Sequence, residues 1–237
     1  MNNKYFPFLL PFRCLIFLLV FVTGSVITGR NPDALSNIWS VVASVVNIIT
    51  ILLLVIITRK SGGYAKLIRY EKGKTRPPQI VGMIFFILLT GMGGMYLAGF
   101  LCYGVLPYAA PMLIAPIPLW LAIGNIFVLP VTTAFAEDGL YLGCGVNQIK
   151  NKYAAVLLPA FFFALQHSFV PTLFDARYIT YRFLSFLPLT LLLCLHYHKR
   201  RNPLPIMVGH AFIDVITVLQ ILATSAIPGF YEMMCAM

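Results

Sequence analysis

Of 237 residues, 60% are hydrophobic and only 10% are charged, against roughly 25% charged in an ordinary soluble domain; a water-soluble globule is excluded. The net charge of +10 does not indicate nucleic acid, because the basic residues fall in short clusters between apolar runs and form no face with interleaved aromatics. The five cysteines, Cys14, Cys102, Cys144, Cys194 and Cys235, are odd in number and widely spaced, which indicates neither a disulfide framework nor a metal pair and leaves cysteine as a small core residue.

The N-terminus, with Lys4, Arg13 and the apolar run 15–22, has the outline of a signal peptide. It lacks an A-x-A-like site and precedes many more apolar runs, so it reads as a first membrane helix. A hydrocarbon core about 30 Å thick needs about 20 mainly apolar residues in a helix. The runs that meet this are, in chain order, 11–28, 38–58, 80–106, 117–147, 153–170, 182–198 and 204–227. The predicted fold is therefore all-α: a polytopic bundle of about seven spans, one continuous membrane domain. Pro107, Pro111, Pro116 and Pro118 punctuate the turn before the fourth span, and Gly143 and Gly145 weaken its far end.

With the N-terminus placed in the cytoplasm, the inside segments hold Lys4, Arg13, Arg59, Lys60, Lys66, Arg69, Lys72, Lys74, Arg76, Lys150, Lys152, Lys199, Arg200 and Arg201. Only Arg30, Arg177 and Arg182 fall outside. This is the asymmetry of the positive-inside rule, and it predicts a cytoplasmic N-terminus and an outside C-terminus. The segment 59–76, with seven basic residues and one acid, is expected along an anionic cytoplasmic leaflet or as a plain stop-transfer anchor. No internal repeat or inverted hydropathy symmetry is visible, which weighs against common transporter architectures.

Of seven acids, Asp33, Glu71, Asp175 and Glu232 fall in loops or the tail, whereas Glu137, Asp138 and Asp214 fall inside predicted helices. His167 and His210 are also inside spans, while His196 and His198 sit at the basic end of the sixth. A charged aspartate near a helix centre costs roughly 2.5–3.5 kcal/mol on translocon scales, so three such acids need partners, protons or water. At 1.5 Å per residue Glu137 is roughly 15 Å from the cytoplasmic end of the fourth helix if that helix runs to about residue 147, His210 roughly 9 Å into the seventh, and His167 roughly 21 Å into the fifth. These depths overlap, unless the fourth helix ends near residue 142. His210 and Asp214, four apart, share one helix face. Each of these groups taken alone could be satisfied locally by a neighbouring helix; five of them on three helices point to an intramembrane site.

The order and spacing of these residues resemble the CPBP intramembrane proteases, the group that includes CAAX prenyl protease 2 and lysostaphin resistance protein A-like (Abi) proteins. That family's pattern is EExxxR, then FxxxH, then HxxxN or HxxxD on successive helices. Here it meets Glu137-Asp138-Gly139-Leu140-Tyr141-Leu142, Phe163-Ala164-Leu165-Gln166-His167 and His210-Ala211-Phe212-Ile213-Asp214. The second and third fit fully; in the first, Asp138 replaces a glutamate and Leu142 stands where the arginine is expected. The resemblance covers roughly residues 115–225. It implies a core at 111–237, with the helices and basic loop of 1–110 as its membrane scaffold.

What the resemblance implies is an intramembrane endopeptidase of a membrane-associated peptide or protein, a prenylated CAAX-type or bacteriocin-like substrate, entered from the cytoplasmic side and set among membrane lipids, in a multi-pass protein of a bacterial plasma membrane. Glu137 would be the general base for water, Asp138 a supporting group, His167 and His210 oxyanion stabilisers or ligands of zinc or another divalent metal, and Asp214 the residue that orients His210. Peptide hydrolysis needs such a base, a polarising group and an acid for the leaving amine. Two histidines and a carboxylate could complete a zinc site with water, but no HExxH helix announces one. The absent arginine removes a fixed cation beside the carboxylates, and the motif holds no replacement. A non-proteolytic scaffold, immunity or regulatory protein on the same fold, and a proton-coupled carrier, are the competing readings.

Overall fold

The computed structural model describes residues 5–31, 35–106 and 110–236. Lys4, Asp33 and Pro107, assigned above to the first segment, a loop and a turn, lie outside them. Among the described residues there is no strand, and the chain forms eight helices worth naming: α1 (Phe12–Thr28), α2 (Trp39–Thr58), α3 (Pro77–Tyr103), α4 (Leu119–Thr133), α5 (Ala154–His167), α6 (Ala176–Arg200), α7 (Leu204–Ala226) and a short α8 (Phe230–Ala236). Helix is the form these apolar runs must take in lipid, where each backbone N–H and C=O has to be satisfied within its own segment.

Six helical stretches are long and apolar enough to cross a membrane: Phe6–Thr28, Trp39–Ser61, Pro77–Tyr103, Leu119–Val146, Ala176–Arg200 and Leu204–Ala226. The chain is an integral, multi-pass membrane protein. The seventh expected span, α5, has only 14 residues, about 21 Å of helix at 1.5 Å per residue. It stops at His167 and turns through 168–175 into α6, which packs back along it; Ser168 Oγ donates to the Ile179 carbonyl at 3.0 Å and Thr190 Oγ1 to the Ala160 carbonyl at 2.9 Å. The sequence placed this helix end three residues later and the α6 start six residues later.

Two ends of the bundle are distinguishable by their loops. At one, Lys74 Nζ donates to the Arg201 carbonyl, Thr75 Oγ1 to Asn202, and Asn147 Nδ2 to the Leu67 carbonyl, which gathers the loops that carry twelve of the fourteen inside charges. At the other, Trp39 Nε1 donates to the Leu113 carbonyl, Ser36 Oγ to the Thr172 carbonyl and Thr224 Oγ1 to the Ile114 carbonyl. The Phe6–Leu9 turn packs with Leu67 and Cys144 near the basic end, and α8 lies at the opposite end, so the two ends of the described chain are on opposite sides. Two charges of the topology tally leave it: Arg13 and Arg182 are not loop residues but buried inside the bundle.

The central element is the continuation of α4. Pro130 has no N–H to donate within the helix, and four residues on the hydrogen-bond ladder widens into a π-helix, Ala134–Val146, a form that is rare and recurs at functional sites. All of its residues except Phe135 are buried, as expected for a helix surrounded on every side. Gly143 and Gly145 do not end it, contrary to their reading as helix breakers. A Cβ on Gly143 would lie 2.7 Å from Leu67 Cγ, and one on Gly145 2.6 Å from Pro159 Cγ. They are close-packing positions, as small residues are between membrane helices, and the helix reaches residue 146, which keeps Glu137 deep.

Candidate functional site

The π-helix carries Glu137 and Asp138 into the middle of the bundle, 6% and 0% exposed. Phe163 of α5 stacks on Tyr141 of the π-helix, rings 4.5 Å apart at 12°, and one turn further on α5 ends with His167. That imidazole lies on Phe186 of α6, ring centroids 3.6 Å apart. Its Nδ1 is 2.8 Å from the Phe163 carbonyl, which as a pure acceptor makes Nδ1 the donor and turns Nε2 inward. From α7, His210 brings Nδ1 to 3.4 Å from Asp138 Oδ1.

Both free ring nitrogens converge on one atom. Glu137 Oε2 is 3.7 Å from His210 Nε2 and 4.0 Å from His167 Nε2, and it has no hydrogen-bond donor among the described residues. These separations exceed a direct hydrogen bond and suit a bridging water. Asp214 does not hold His210, as the four-residue spacing suggested. That place is taken by Asp138 from the π-helix, and Asp214 instead lines the neighbouring cavity with Oδ2 unpartnered. Among the described residues no group of three or more His, Cys, Asp or Glu is arranged to hold a metal ion.

Three residues that the sequence reading left out complete the site. Arg13 of α1, 1% exposed, donates through Nη2 to Glu137 Oε1 at 2.9 Å and to Asn47 Oδ1 at 2.8 Å, through Nη1 to Thr50 Oγ1 at 3.1 Å, and through Nε to Gln166 Oε1 at 2.6 Å. Gln166 also accepts from the Tyr141 hydroxyl at 3.0 Å, and Asn47 Nδ2 donates to Thr133 Oγ1 at 2.9 Å. The signal was in the sequence: Arg13, Asn47 and Thr50 are polar residues within apolar runs, and intramembrane ionisable groups mark sites by default. Arg13 was counted as a boundary charge because it falls near the start of its run.

The cluster opens on a cavity of about 470 Å³ walled mainly by apolar side chains, among them Phe17, Ile87, Leu129, Leu189 and Ile213. It runs from Glu137 toward the end opposite the basic loops, where Leu113, Ile114 and Gln220 line it, and its rim residues Met92, Ile216 and Gln220 are exposed along the seam between α3 and α7. On the basic side of that seam Gly209 packs closely against Ile87 and Met83. Arg182 of α6 stands in its wall, 6% exposed. It donates to the His167 and Val170 carbonyls at 3.2 and 3.1 Å and lies over the Phe186 ring. It has no acid partner among the described residues.

Fold and site together define a class: a multi-pass helical membrane protein that brings a glutamate and two histidines together inside the bundle. Residues 118–216 match the family model Rce1-like, described as type II CAAX prenyl endopeptidase Rce1-like, and the matched segment is the one that carries the three motifs. The match spans α4, the π-helix, α5, α6 and the first half of α7, and leaves α1 to α3 outside it. No curated protein and no solved structure matches the chain.

Proposed function

We propose that the protein is an intramembrane endopeptidase that hydrolyses a peptide bond in a membrane-associated, CAAX-type substrate by glutamate-activated water. The observation that carries this reading is the convergence of Glu137 Oε2 with the Nε2 atoms of His210 and His167 at 3.7 and 4.0 Å, at the head of an apolar cavity.

A water in that gap donates to Glu137 Oε2 and is aligned by His167, whose Nδ1 is committed to the Phe163 carbonyl. Glu137 takes the water's proton as oxygen adds to the scissile carbonyl carbon, then returns it to the amine nitrogen as the C–N bond breaks. His210, held by the Asp138 carboxylate as an imidazolium, donates Nε2–H to the developing oxyanion. The apolar walls exclude bulk water, which strengthens each of these interactions. The Arg182 guanidinium is the cation that a free terminal carboxylate of such a substrate would meet, and the charge asymmetry supports a cytoplasmic position for the basic end.

The test is cleavage of a farnesylated CAAX reporter peptide by purified protein in detergent or nanodiscs, followed by mass spectrometry. Release of the C-terminal fragment by the wild type and none by Glu137→Gln supports the reading. Equal release by both refutes it, and full biological function of Glu137→Gln in cells would instead favour a non-proteolytic scaffold on this fold.

A further inference from the structure

We propose that Arg13, from the first helix and outside the matched segment, supplies the fixed cation that the first motif lacks at Leu142, and so acts as the positioning residue of Glu137. The proposal rests on the protease reading for its purpose, but its geometry is independent of that reading. Leu142 packs among Met83, Ile87, Leu189 and Leu193, an apolar neighbourhood. The cation reaches the carboxylate from the opposite quarter, by α1.

The division between the two carboxylate oxygens is what gives Arg13 a role beyond packing. Oε1 takes the guanidinium at 2.9 Å, while Oε2 carries no donor and faces both histidines. One oxygen holds the charge and the rotamer; the other is left for water. A buried ion pair is favourable only where the remaining donors are also satisfied, and here Gln166, Thr50 and Asn47 take the other N–H groups. These acceptors come from α2 and α5, so the guanidinium is held in one orientation before it meets Glu137. A buried carboxylate deprived of its cation neutralises by taking a proton, and a protonated Glu137 is no base.

Infrared spectroscopy of the purified full-length protein with 13C-labelled glutamate reads this without a substrate. The chain has three glutamates, and subtraction of the Glu137→Gln spectrum isolates the one in the site. The wild type and Arg13→Lys should show carboxylate stretches for Glu137; Arg13→Met should show the carbonyl stretch of a protonated acid and a loss of cleavage on the order of 100-fold. Unchanged carboxylate bands in Arg13→Met would overturn the proposal. Should that variant fail to fold, Arg13→Met/Glu137→Gln is expected to restore folded protein because it removes the uncompensated charge; an equally unfolded double variant overturns the proposal. Carboxylate bands that depend on Arg13 in a protein that cleaves nothing would sink the protease reading alone.

Discussion

The segment 118–216 and the two helices that open the chain meet on opposite oxygens of one carboxylate. From the matched segment come Glu137, Asp138, His167 and His210, the groups to which the proposed reaction assigns the proton transfers and the oxyanion contact. From α1 and α2 come Arg13, Asn47 and Thr50, which move none and hold Glu137 still. The contrast teaches that the proposed reacting groups sit within one stretch of sequence, whereas the charge that opposes Glu137 is delivered by a helix from outside it.

Five variants would break or sharpen that contrast. The largest effect belongs to Glu137→Gln, which removes the base while preserving shape; cleavage of a CAAX reporter should fall by about 10³-fold or more, with an unchanged thermal melt. Next, His210→Ala should lower the maximal rate by about 10²-fold through loss of the oxyanion contact, and Asp138→Asn should follow it at about tenfold, since Asp138 acts on the substrate only by turning His210. A smaller effect of His210→Ala than of Asp138→Asn would reverse the order of contact assumed here.

On the other side of the carboxylate the effects are milder. Asn47→Ala leaves Arg13 with its bonds to Glu137, Thr50 and Gln166, so activity should drop by only about fivefold, read as a lower maximal rate with an unaltered substrate Michaelis constant; abolished cleavage would make α2 part of the chemistry. Leu142→Ala, in the apolar wall, should lower the unfolding temperature through a cavity worth about 2–5 kcal/mol while the activity per folded molecule stays within about twofold. If instead it silences the enzyme, position 142 has a catalytic duty that Arg13 does not replace.

Much of the fold was legible beforehand because lipid permits few solutions: apolar runs of sufficient length must be helices, and the clustering of lysine and arginine orders their ends. What pattern could not settle was α5, where composition continues apolar past His167 but the chain turns after 14 residues. Gly143 and Gly145 misled for a related reason. Intrinsic propensity reads glycine as a weak point in a helix, whereas in the bundle it is the residue that lets Leu67 and Pro159 approach.

In the site, the motif residues were found from spacing because each pair lies within one turn of one helix. Their partners were not. The four-residue step from His210 to Asp214 puts both on one face, yet a side chain chooses among all neighbours, and Asp138 from the π-helix lies against Nδ1.

By itself, then, the amino-acid sequence determined that this is a helical membrane protein and placed Glu137, Asp138, His167 and His210 at overlapping depths if the fourth helix runs on past residue 142, since hydrophobic length and residue spacing are local properties that each helix expresses alone. Only the tertiary structure decided that Arg13 stands against Glu137, that Leu142 belongs to an apolar wall, and that the cavity leads away from the basic loops. Those depend on which helix faces lie together, and packing between helices 124 residues apart in the chain leaves no periodic trace in either one.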